Sequence, residues 1–273
     1  MELFHCPLCG GALTDGGGSL RCGSGHCFDR AREGYVNLLP VSFKHSRAPG
    51  DDKAMVAARR AFLEGGWYAP LREALCALAV QLAPQPAAVL DAGCGEGYYT
   101  QGVYEALARA GKSPRMAGID ISKFSLQKAA RRSRDISFAV ASAYRLPVAD
   151  RAVDLVLDVF SPLAIDEFRR VLRPGGYFLY VVPAAGHLWE MKQVLYDVPY
   201  PNEERATPYE GFAYKQIIPV DFSLHLTSQA DMQALFGMTP YAWKTPRTGR
   251  ERLAGLTKLD CQAAFRIHVF QRI

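Results

Sequence analysis

Three cysteines and one histidine near the start of the chain stand at spacings that could bind a metal ion. Cys6 and Cys9 form one close pair, and after twelve further residues Cys22 and His26 form a second one. Three thiolates and an imidazole make up a tetrahedral ligand set that suits Zn²⁺. We predict a structural zinc site, because four protein ligands leave no open position for catalysis.

The fourth ligand of this site has two candidates. His26 stands at an acceptable spacing from Cys22, but Cys27 follows it directly and competes for the same position. We predict His26 and keep Cys27 as the alternative, and four reduced cysteines without a metal are the other reading. A segment of about 30 residues cannot build a hydrophobic core of its own, so we expect the metal to hold this module together.

A glycine-rich turn in the middle of the chain is the second group of residues that could do chemistry. It follows a short apolar run and contains Gly93, Gly95 and Gly97, which let the backbone bend tightly and approach a ligand. The spacing of these glycines differs from the dinucleotide-binding fingerprint. Asp91 before the turn and Glu96 within it disfavour a pyrophosphate and favour a cation.

S-adenosylmethionine would bring such a cation through its α-amino group and its sulfonium. Asp120 ends the next apolar run, 29 residues after Asp91. An acidic residue at this place in a Rossmann-type fold accepts the ribose hydroxyls of a nucleoside cofactor. We therefore predict that Asp91, Glu96, Asp120 and the three glycines bind S-adenosylmethionine.

These residues need a scaffold, and the chain predicts one from residue 87 onwards, where short apolar runs alternate with helical patterns. Strands are predicted over 87–91, 116–120, 136–141, 153–159 and 176–182. Helices are predicted between them over 96–109, 123–132 and 164–172. Such alternation indicates βαβ units and a mostly parallel, Rossmann-like sheet. Later strands over 212–222 and 264–271 would complete a seven-stranded sheet in antiparallel fashion.

Composition restricts the class of protein further. With 49% hydrophobic residues among 273, the chain can bury a proper core. Its apolar runs stay shorter than the roughly 18 residues of a membrane span, and we expect no membrane partner. The start of the chain lacks the pattern of a signal peptide. Seven cysteines, some at metal-binding spacing, fit a reducing cytoplasm better than a disulfide framework.

The net charge of +5 is concentrated near the end of the chain. Residues 241–273 carry seven basic and two acidic side chains, which equals the whole excess. A second basic cluster lies in the predicted helix over 123–132. Such clusters can hold phosphates, or they can be solvated surface.

Residues 87–182 resemble the class I S-adenosylmethionine-dependent methyltransferases. The resemblance combines the Asp91 turn, Asp120 and the element Arg173-Pro174-Gly175-Gly176 before the fifth strand. The third strand ends at Ala141-Ser142-Ala143, without the acidic residue that many relatives direct at the adenine, so Ser142 is our candidate there. We accordingly predict a zinc-binding module over 1–40, a helical lead-in over 41–86 and a methyltransferase domain over 87–273.

The whole chain resembles a narrower family, the bacterial large-subunit ribosomal RNA (guanine-N1)-methyltransferases. The residues that carry this resemblance run from the zinc module into the glycine-rich turn: Cys6-x-x-Cys9, Cys22-x₃-His26, Phe28-Asp29, Glu33 to Leu39, Ser46-Arg47, Pro49-Gly50-Asp51, Ala58 to Leu63 and Gly93 to Thr100. The resemblance implies methyl transfer to N1 of a guanosine in a hairpin of large-subunit ribosomal RNA. It also implies a homodimer whose zinc modules help to hold the RNA.

The catalytic residues are predicted from the ends of the fourth and fifth strands. Asp158 precedes Phe160, which could stack on a base, and is a candidate general base for the guanine N1 proton. Glu190 is the second candidate base. By resemblance, His187 and Tyr68 line the cofactor pocket.

For RNA, the basic residues Lys44, Arg47, Arg59 and Arg60 could contact phosphates, and Tyr35 or Phe43 could stack on an unpaired base. Two other functions stay open at this point. A small-molecule methyltransferase acting on a quinone-like acceptor would explain the catalytic domain but not the zinc module. A non-catalytic RNA-binding ribosome-assembly factor would keep the fold without turnover.

Overall fold

The computed structural model describes residues 3–40, 50–203 and 208–273. The chain opens with a three-stranded antiparallel sheet in the order β1-β2-β3, made of Leu13–Asp15, Ser19–Cys22 and Cys27–Asp29. Residues 16–18 form the turn that joins β1 to β2. This small sheet carries the second pair of predicted zinc ligands.

Two helices precede the main domain, within the segment predicted as a helical lead-in. Helix α1 spans Lys53–Glu64, and its N-cap Asp52 accepts a hydrogen bond from the Met55 N–H at 2.9 Å. Helix α2 spans Ala69–Leu82 and buries Leu71, Leu75 and Leu78 on one face.

The main domain is an eight-stranded sheet in the order β10-β11-β9-β8-β5-β6-β7-β4. Its strands are β4 Val36–Asn37, β5 Ala88–Ala92, β6 Arg115–Asp120, β7 Ser137–Val140, β8 Val153–Val159, β9 Leu172–Pro183, β10 Phe212–Leu226 and β11 Leu259–Arg272. All neighbouring pairs from β4 to β9 are parallel, while β11 pairs antiparallel with both β9 and β10. Every residue of β5 and β8 is buried, as expected for central strands covered on both faces.

Helices connect these strands and cover the sheet. They are α3 Tyr98–Arg109, α4 Lys123–Arg132, α5 Ile165–Val171, α6 Trp189–Leu195, α7 Gln229–Gly237, α8 Tyr241–Lys244 and α9 Arg247–Ala254. Ser228 caps α7 by accepting the Asp231 N–H at 3.0 Å. None of the helices in the described ranges has the length and apolar character to cross a bilayer.

The predicted count of seven strands is wrong by one. The additional strand, β4, comes from the segment predicted as zinc module and pairs parallel with β7 through Val36 and Ala139. An isolated bridge between Phe4 and Val148 adds a second connection. The zinc module is therefore attached to the edge of the main sheet, and the boundary at residue 40 stays a prediction.

Candidate active site and metal centre

The four predicted zinc ligands lie together. The ligand atoms of Cys6, Cys9, Cys22 and His26 all fall within 4.8 Å of one another. The Cys9 and Cys22 sulfurs are 3.7 Å apart, and His26 Nδ1 lies 3.5 Å from Cys6 Sγ and 3.4 Å from Cys22 Sγ. A tetrahedral zinc site has S–S edges of about 3.8 Å and S–N edges of about 3.5 Å. The arrangement fits Zn²⁺ in both distance and donor chemistry.

Local turns bring the two ligand pairs together. The Gly10 N–H donates to the Cys6 carbonyl at 2.8 Å, closing the first turn. The Cys22 N–H donates to the His26 carbonyl at 3.1 Å, closing the second turn at the end of β2. Cys27 is exposed on β3 and lies outside the group of four. This geometry favours His26 over Cys27, and the ligand assignment itself stays a prediction.

The second site lies where the carboxyl ends of β5, β6 and β8 meet, which we call the cofactor edge. Gly93, Gly95 and Gly97 all have positive φ, at 91°, 54° and 86°. A Cβ at Gly93 would collide with Ser161 of the loop after β8, so only glycine fits between these loops. The turn therefore has the tight path that its spacing predicts.

Asp91 is buried at the end of β5 and offers an unused acceptor. Its Oδ2 accepts the Thr100 hydroxyl at 2.6 Å, whereas its Oδ1 has no partner among the described residues. Burial raises the pKa of Asp91 to about 7. An unpartnered buried carboxylate oxygen is a suitable partner for the α-amino group of S-adenosylmethionine.

Asp120 fixes the turn from the neighbouring strand. Its Oδ2 accepts the Gly95 N–H at 2.9 Å, and its Oδ1 accepts the Ser122 N–H at 2.7 Å. Burial raises the pKa of Asp120 to about 6, although both hydrogen bonds act against the shift. Each carboxylate oxygen keeps a second lone pair that could accept a ribose hydroxyl, and the ribose contact stays a prediction.

Glu96 differs from the prediction that it faces a cofactor cation. Its carboxylate forms an ion pair with Arg132 of α4, and its Oε1 has no partner among the described residues. Burial raises the pKa of Glu96, and the Arg132 guanidinium opposes that shift. Arg132 also donates to the Glu96 carbonyl at 3.2 Å. A protein cation thus neutralises Glu96, and its role toward the cofactor stays a prediction.

Asp158 is fully buried at the end of β8 and is held by Ser161. Its Oδ1 accepts the Ser161 N–H at 3.1 Å and lies 2.8 Å from the Ser161 hydroxyl, while Oδ2 has no partner in the described structure. The same hydroxyl lies 2.6 Å from the Ala92 carbonyl. Burial raises the pKa of Asp158 to about 7, although the hydrogen bonds from Ser161 act against the shift.

Aromatic side chains form a wall beside these acids. The Phe265 ring lies 5.3 Å from Phe160, 4.5 Å from His187 and 5.0 Å from Tyr68 between ring centroids. Tyr68 and His187 are buried, whereas Phe160 is 45% exposed. Phe160 also has a φ of 58°, an uncommon conformation for a bulky residue that recurs at functional sites.

His187 and Glu190, which follow β9, both accept hydrogen bonds from backbone N–H groups of β11. His187 Nδ1 accepts the Ala264 N–H at 3.1 Å, so the ring is neutral, and burial lowers its pKa to about 3. Glu190 Oε2 accepts the Gln262 N–H at 3.1 Å. Ser142 lies two residues after the end of β7 and accepts the Tyr144 N–H through its hydroxyl at 3.3 Å. Their assignments stay predictions.

The residues predicted to contact RNA beside the zinc module lie in different environments. Arg59 is paired with Asp51, and Arg60 is paired with Glu64 at 2.8 Å. Tyr35 cannot stack on an unpaired base, because it is buried in the core. Lys44, Arg47 and Phe43 lie outside the described residues.

Sequence reasoning missed Phe265 and the pairing of Glu96 with Arg132. Phe265 stands in a strand of alternating apolar residues, the pattern of an ordinary core strand, and its place at the site follows only from sheet topology.

Comparisons with known proteins agree with this geometry. The zinc-ribbon family described as "RlmA, N-terminal" matches residues 4–47, and the family described as "Methyltransferase domain" matches residues 85–223. A 23S rRNA (guanine(748)-N(1))-methyltransferase of Streptomyces fradiae is 40% identical, over 71% of this chain and 68% of the relative. A protein of Bacillus subtilis (strain 168), provisionally named a 23S rRNA (guanine-N(1)-)-methyltransferase, is 35% identical over 90% of this chain and 89% of its own.

The chain belongs to the 23S rRNA (guanine-N1)-methyltransferase family. A solved structure from Anaeromyxobacter dehalogenans, provisionally described as a type II methyltransferase, shares the fold with a TM-score of 0.52. It is 21% identical and covers 73% of this chain and 94% of that one. The predicted fold class is thereby confirmed, as are S-adenosylmethionine and structural zinc as the family's cofactors.

Proposed function

We propose that the protein transfers the methyl group of S-adenosylmethionine to N1 of one guanosine in a hairpin of large-subunit ribosomal RNA. The family membership supports this function across both the zinc ribbon and the methyltransferase domain. The observation that carries the chemistry is a pair of buried acids, Asp91 and Asp158, each with an unpartnered oxygen at the cofactor edge. One can serve the methyl donor and the other the acceptor.

The acceptor sets the main chemical requirement. S-adenosylmethionine supplies an electrophilic methyl group and a neutral leaving group, so the protein has mainly to position the acceptor and exclude water. Guanine N1 carries a proton at neutral pH. A side chain must take that proton before or during methyl transfer, which calls for a base whose pKa lies near the working pH.

Asp158 meets this requirement better than Glu190. Its free oxygen and its pKa of about 7 suit proton transfer near neutrality. Ser161 holds the opposite oxygen and so fixes the direction in which the carboxylate points. Glu190, in contrast, accepts a backbone N–H of β11. We therefore assign Asp158 as the general base and Ser161 as its positioning residue.

Phe160 is suited to hold the target base. Its ring is partly exposed beside the buried aromatic wall of Tyr68, His187 and Phe265. A base removed from its stack can rest on such a ring, which replaces part of the stacking energy that flipping costs.

The metal site completes the proposal. Cys6, Cys9, Cys22 and His26 would hold structural Zn²⁺, and the metal would keep the amino-terminal module folded at the edge of the sheet. The homodimer and the cytoplasmic location expected from the sequence belong to the same proposal.

The test is methylation of a large-subunit ribosomal RNA hairpin taken from a strain that lacks the enzyme. Incubation with S-adenosylmethionine should produce a reverse-transcriptase stop at one guanosine, because methylation at N1 blocks base pairing. Mass spectrometry of the digested RNA identifies the modified nucleoside. Cofactor binding without a stop would favour the non-catalytic alternative, whereas transfer to a quinone-like acceptor alone would favour the small-molecule one.

A further inference from the structure

A basic and aromatic surface lies apart from the zinc module, on the helices that precede β11. We call it the C-terminal patch and define it by Tyr200, Trp243, Lys244, Arg247 and Arg250. Trp243 is 66% exposed and Tyr200 is 46% exposed, and the three basic residues are exposed as well. Large aromatic rings are seldom left in solvent without a partner, and here they stand among cations.

A buried lysine holds the two halves of the patch together. Lys192 of α6 is fully buried and donates to the Tyr200 carbonyl at 2.9 Å and to Asn202 Oδ1 at 2.7 Å. Its ammonium lies 5.2 Å from the Tyr200 ring centroid and 5.5 Å from that of Tyr241, at the start of α8. The Tyr200 loop and the helix that bears Trp243 are therefore fixed side by side.

Helix α9 is tied to the end of α6. A Cβ at Gly249 would collide with the Leu195 carbonyl, so the two backbones are in close contact there. Arg252 donates to the Val194 carbonyl at 2.7 Å and pairs with Asp197 at 3.0 Å. The patch is thus a rigid platform rather than a loose tail, which lowers the entropic cost of binding to it.

The charge of the platform is positive. The segment from Tyr241 to Ala254 contains four basic residues and one acidic residue, Glu251, while the adjoining Tyr200 loop adds Asp197 and Glu203, so a small positive excess remains. Glu251 pairs with Arg247 at 2.7 Å, in a bridge whose arginine is almost wholly exposed. Arg250 donates to the carbonyls of Ala242 and Thr245, which are uncharged acceptors. A polyanion would gain from these charges by releasing counterions.

The patch is connected to the acceptor side of the active site. Helix α6 begins two residues after His187, which contacts the aromatic wall, and ends beside Tyr196 and the patch. Its seven residues span about 10 Å. This separation matches the reach of a few nucleotides rather than that of a small acceptor.

We propose that the C-terminal patch binds the single-stranded RNA next to the target guanosine, an inference that rests on the proposed function. Trp243 stacks on an unpaired base, and Lys244 and Arg247 contact phosphates. Stacking on an exposed aromatic side chain together with cationic phosphate contacts is how proteins hold single-stranded RNA. The enzyme then holds its RNA at two places. The target base lies on Phe160 beside the cofactor, and the neighbouring single strand lies on the C-terminal patch.

The test compares patch variants by their kinetics on the ribosomal RNA hairpin. We expect Trp243→Ala to raise KM for RNA roughly tenfold, whereas Trp243→Phe, which keeps a stacking ring, stays close to the wild type. The double variant Lys244→Ala/Arg247→Ala should reduce the salt dependence of RNA binding by on the order of one to two in the log–log slope. The KM for S-adenosylmethionine and the zinc content should not change.

Arg109→Ala is the matched control for the charge. Like Arg247, Arg109 is a well-exposed arginine paired four residues along a helix with a glutamate, but it ends α3, away from the cofactor edge. If the patch variants bind RNA with the same KM and salt slope as Arg109→Ala, the proposal is wrong. If the wild type methylates no RNA at all, the proposed function fails first, so the two failures are distinguishable.

Discussion

The zinc cluster and the cofactor edge both gather ionisable side chains, but they leave them in opposite conditions. In the zinc cluster the four ligand atoms face one another at the edge lengths of a metal tetrahedron. At the cofactor edge Asp91, Glu96 and Asp158 each keep one buried oxygen without a partner in the described structure. A buried polar atom without a hydrogen-bond partner lowers the stability of the folded protein, so these oxygens indicate a site for a bound ligand.

The difference extends to what stabilises each region. The small sheet contributes only Leu13, Leu20 and Cys22 to a core cluster that it shares with the main domain, so we expect the metal to supply much of its stability. The cofactor edge rests on a large core that includes every residue of β5 and β8. The two regions touch through the Phe4–Val148 bridge, the pairing of β4 with β7 and the ion pair between Arg131 and Glu33. We therefore expect damage in one region to leave the other largely intact.

The largest effect should come from breaking the metal site. Cys22→Ser should abolish zinc binding and unfold the module, because zinc contributes about 10–16 kcal/mol to comparable small folds. S-adenosylmethionine should still bind, since its residues rest on the main core. Zinc content by elemental analysis and cofactor affinity by calorimetry check the two halves of this prediction.

Cys27→Ser is the matched control for the metal site. Cys27 is exposed and outside the ligand group, so its replacement should leave zinc content at the wild-type level. Loss of zinc in Cys27→Ser with retention in His26→Ala would show that Cys27 is the fourth ligand. Loss of cofactor binding together with zinc would show that the two regions are not independent.

A smaller but still large effect is expected at the proposed base. Asp158→Asn keeps the acceptor for Ser161 but removes the proton acceptor, and should lower kcat roughly 10²–10⁴-fold. In the wild type, burial raises the pKa of Asp158 to about 7, so the ionised, active form is lost as the pH falls below neutrality. The rate on RNA should therefore rise with pH up to about 7 and then level off.

Glu190→Gln separates the two candidate bases. It should retain most of the activity and the same pH profile, since Glu190 already binds the Gln262 N–H. A large loss in Glu190→Gln with little change in Asp158→Asn would reverse the assignment. A variant of Asp158 that keeps a break near pH 7 would point to another titrating group.

The comparison also explains what could be predicted from sequence. The zinc ligands, the glycine turn and the acids at strand ends depend on local spacing, and the structure brings them to their expected places. The caps at Asp52 and Ser228 are local in the same way. Features of this kind depend on residues that are close together in the sequence, so they can be predicted without knowing how the chain packs.

Features that depend on distant contacts could not be predicted. Glu96 meets Arg132 across 36 residues, and Phe265 reaches the aromatic wall only because β11 lies beside β9. The pairing of β4 with β7 joins segments about 100 residues apart, so the eighth strand was missed. Tyr35, one of two candidates for base stacking, is buried in the core directly before β4, a position that depends on the distant pairing of β4 with β7.

The smallest expected effect is on cofactor affinity in Asp120→Ala. It tests whether the cofactor edge can be damaged without affecting the zinc cluster. Asp120→Ala removes the acceptor for the Gly95 N–H as well as the proposed ribose contact, so S-adenosylmethionine should bind tenfold or more weakly. Zinc content should remain that of the wild type, because Asp120 belongs to the main core and not to the module. Ser142→Ala, which removes a single hydroxyl at the neighbouring strand end, should weaken binding less. Equal loss of zinc and cofactor in Asp120→Ala would mean that the residue supports folding as a whole rather than the cofactor edge.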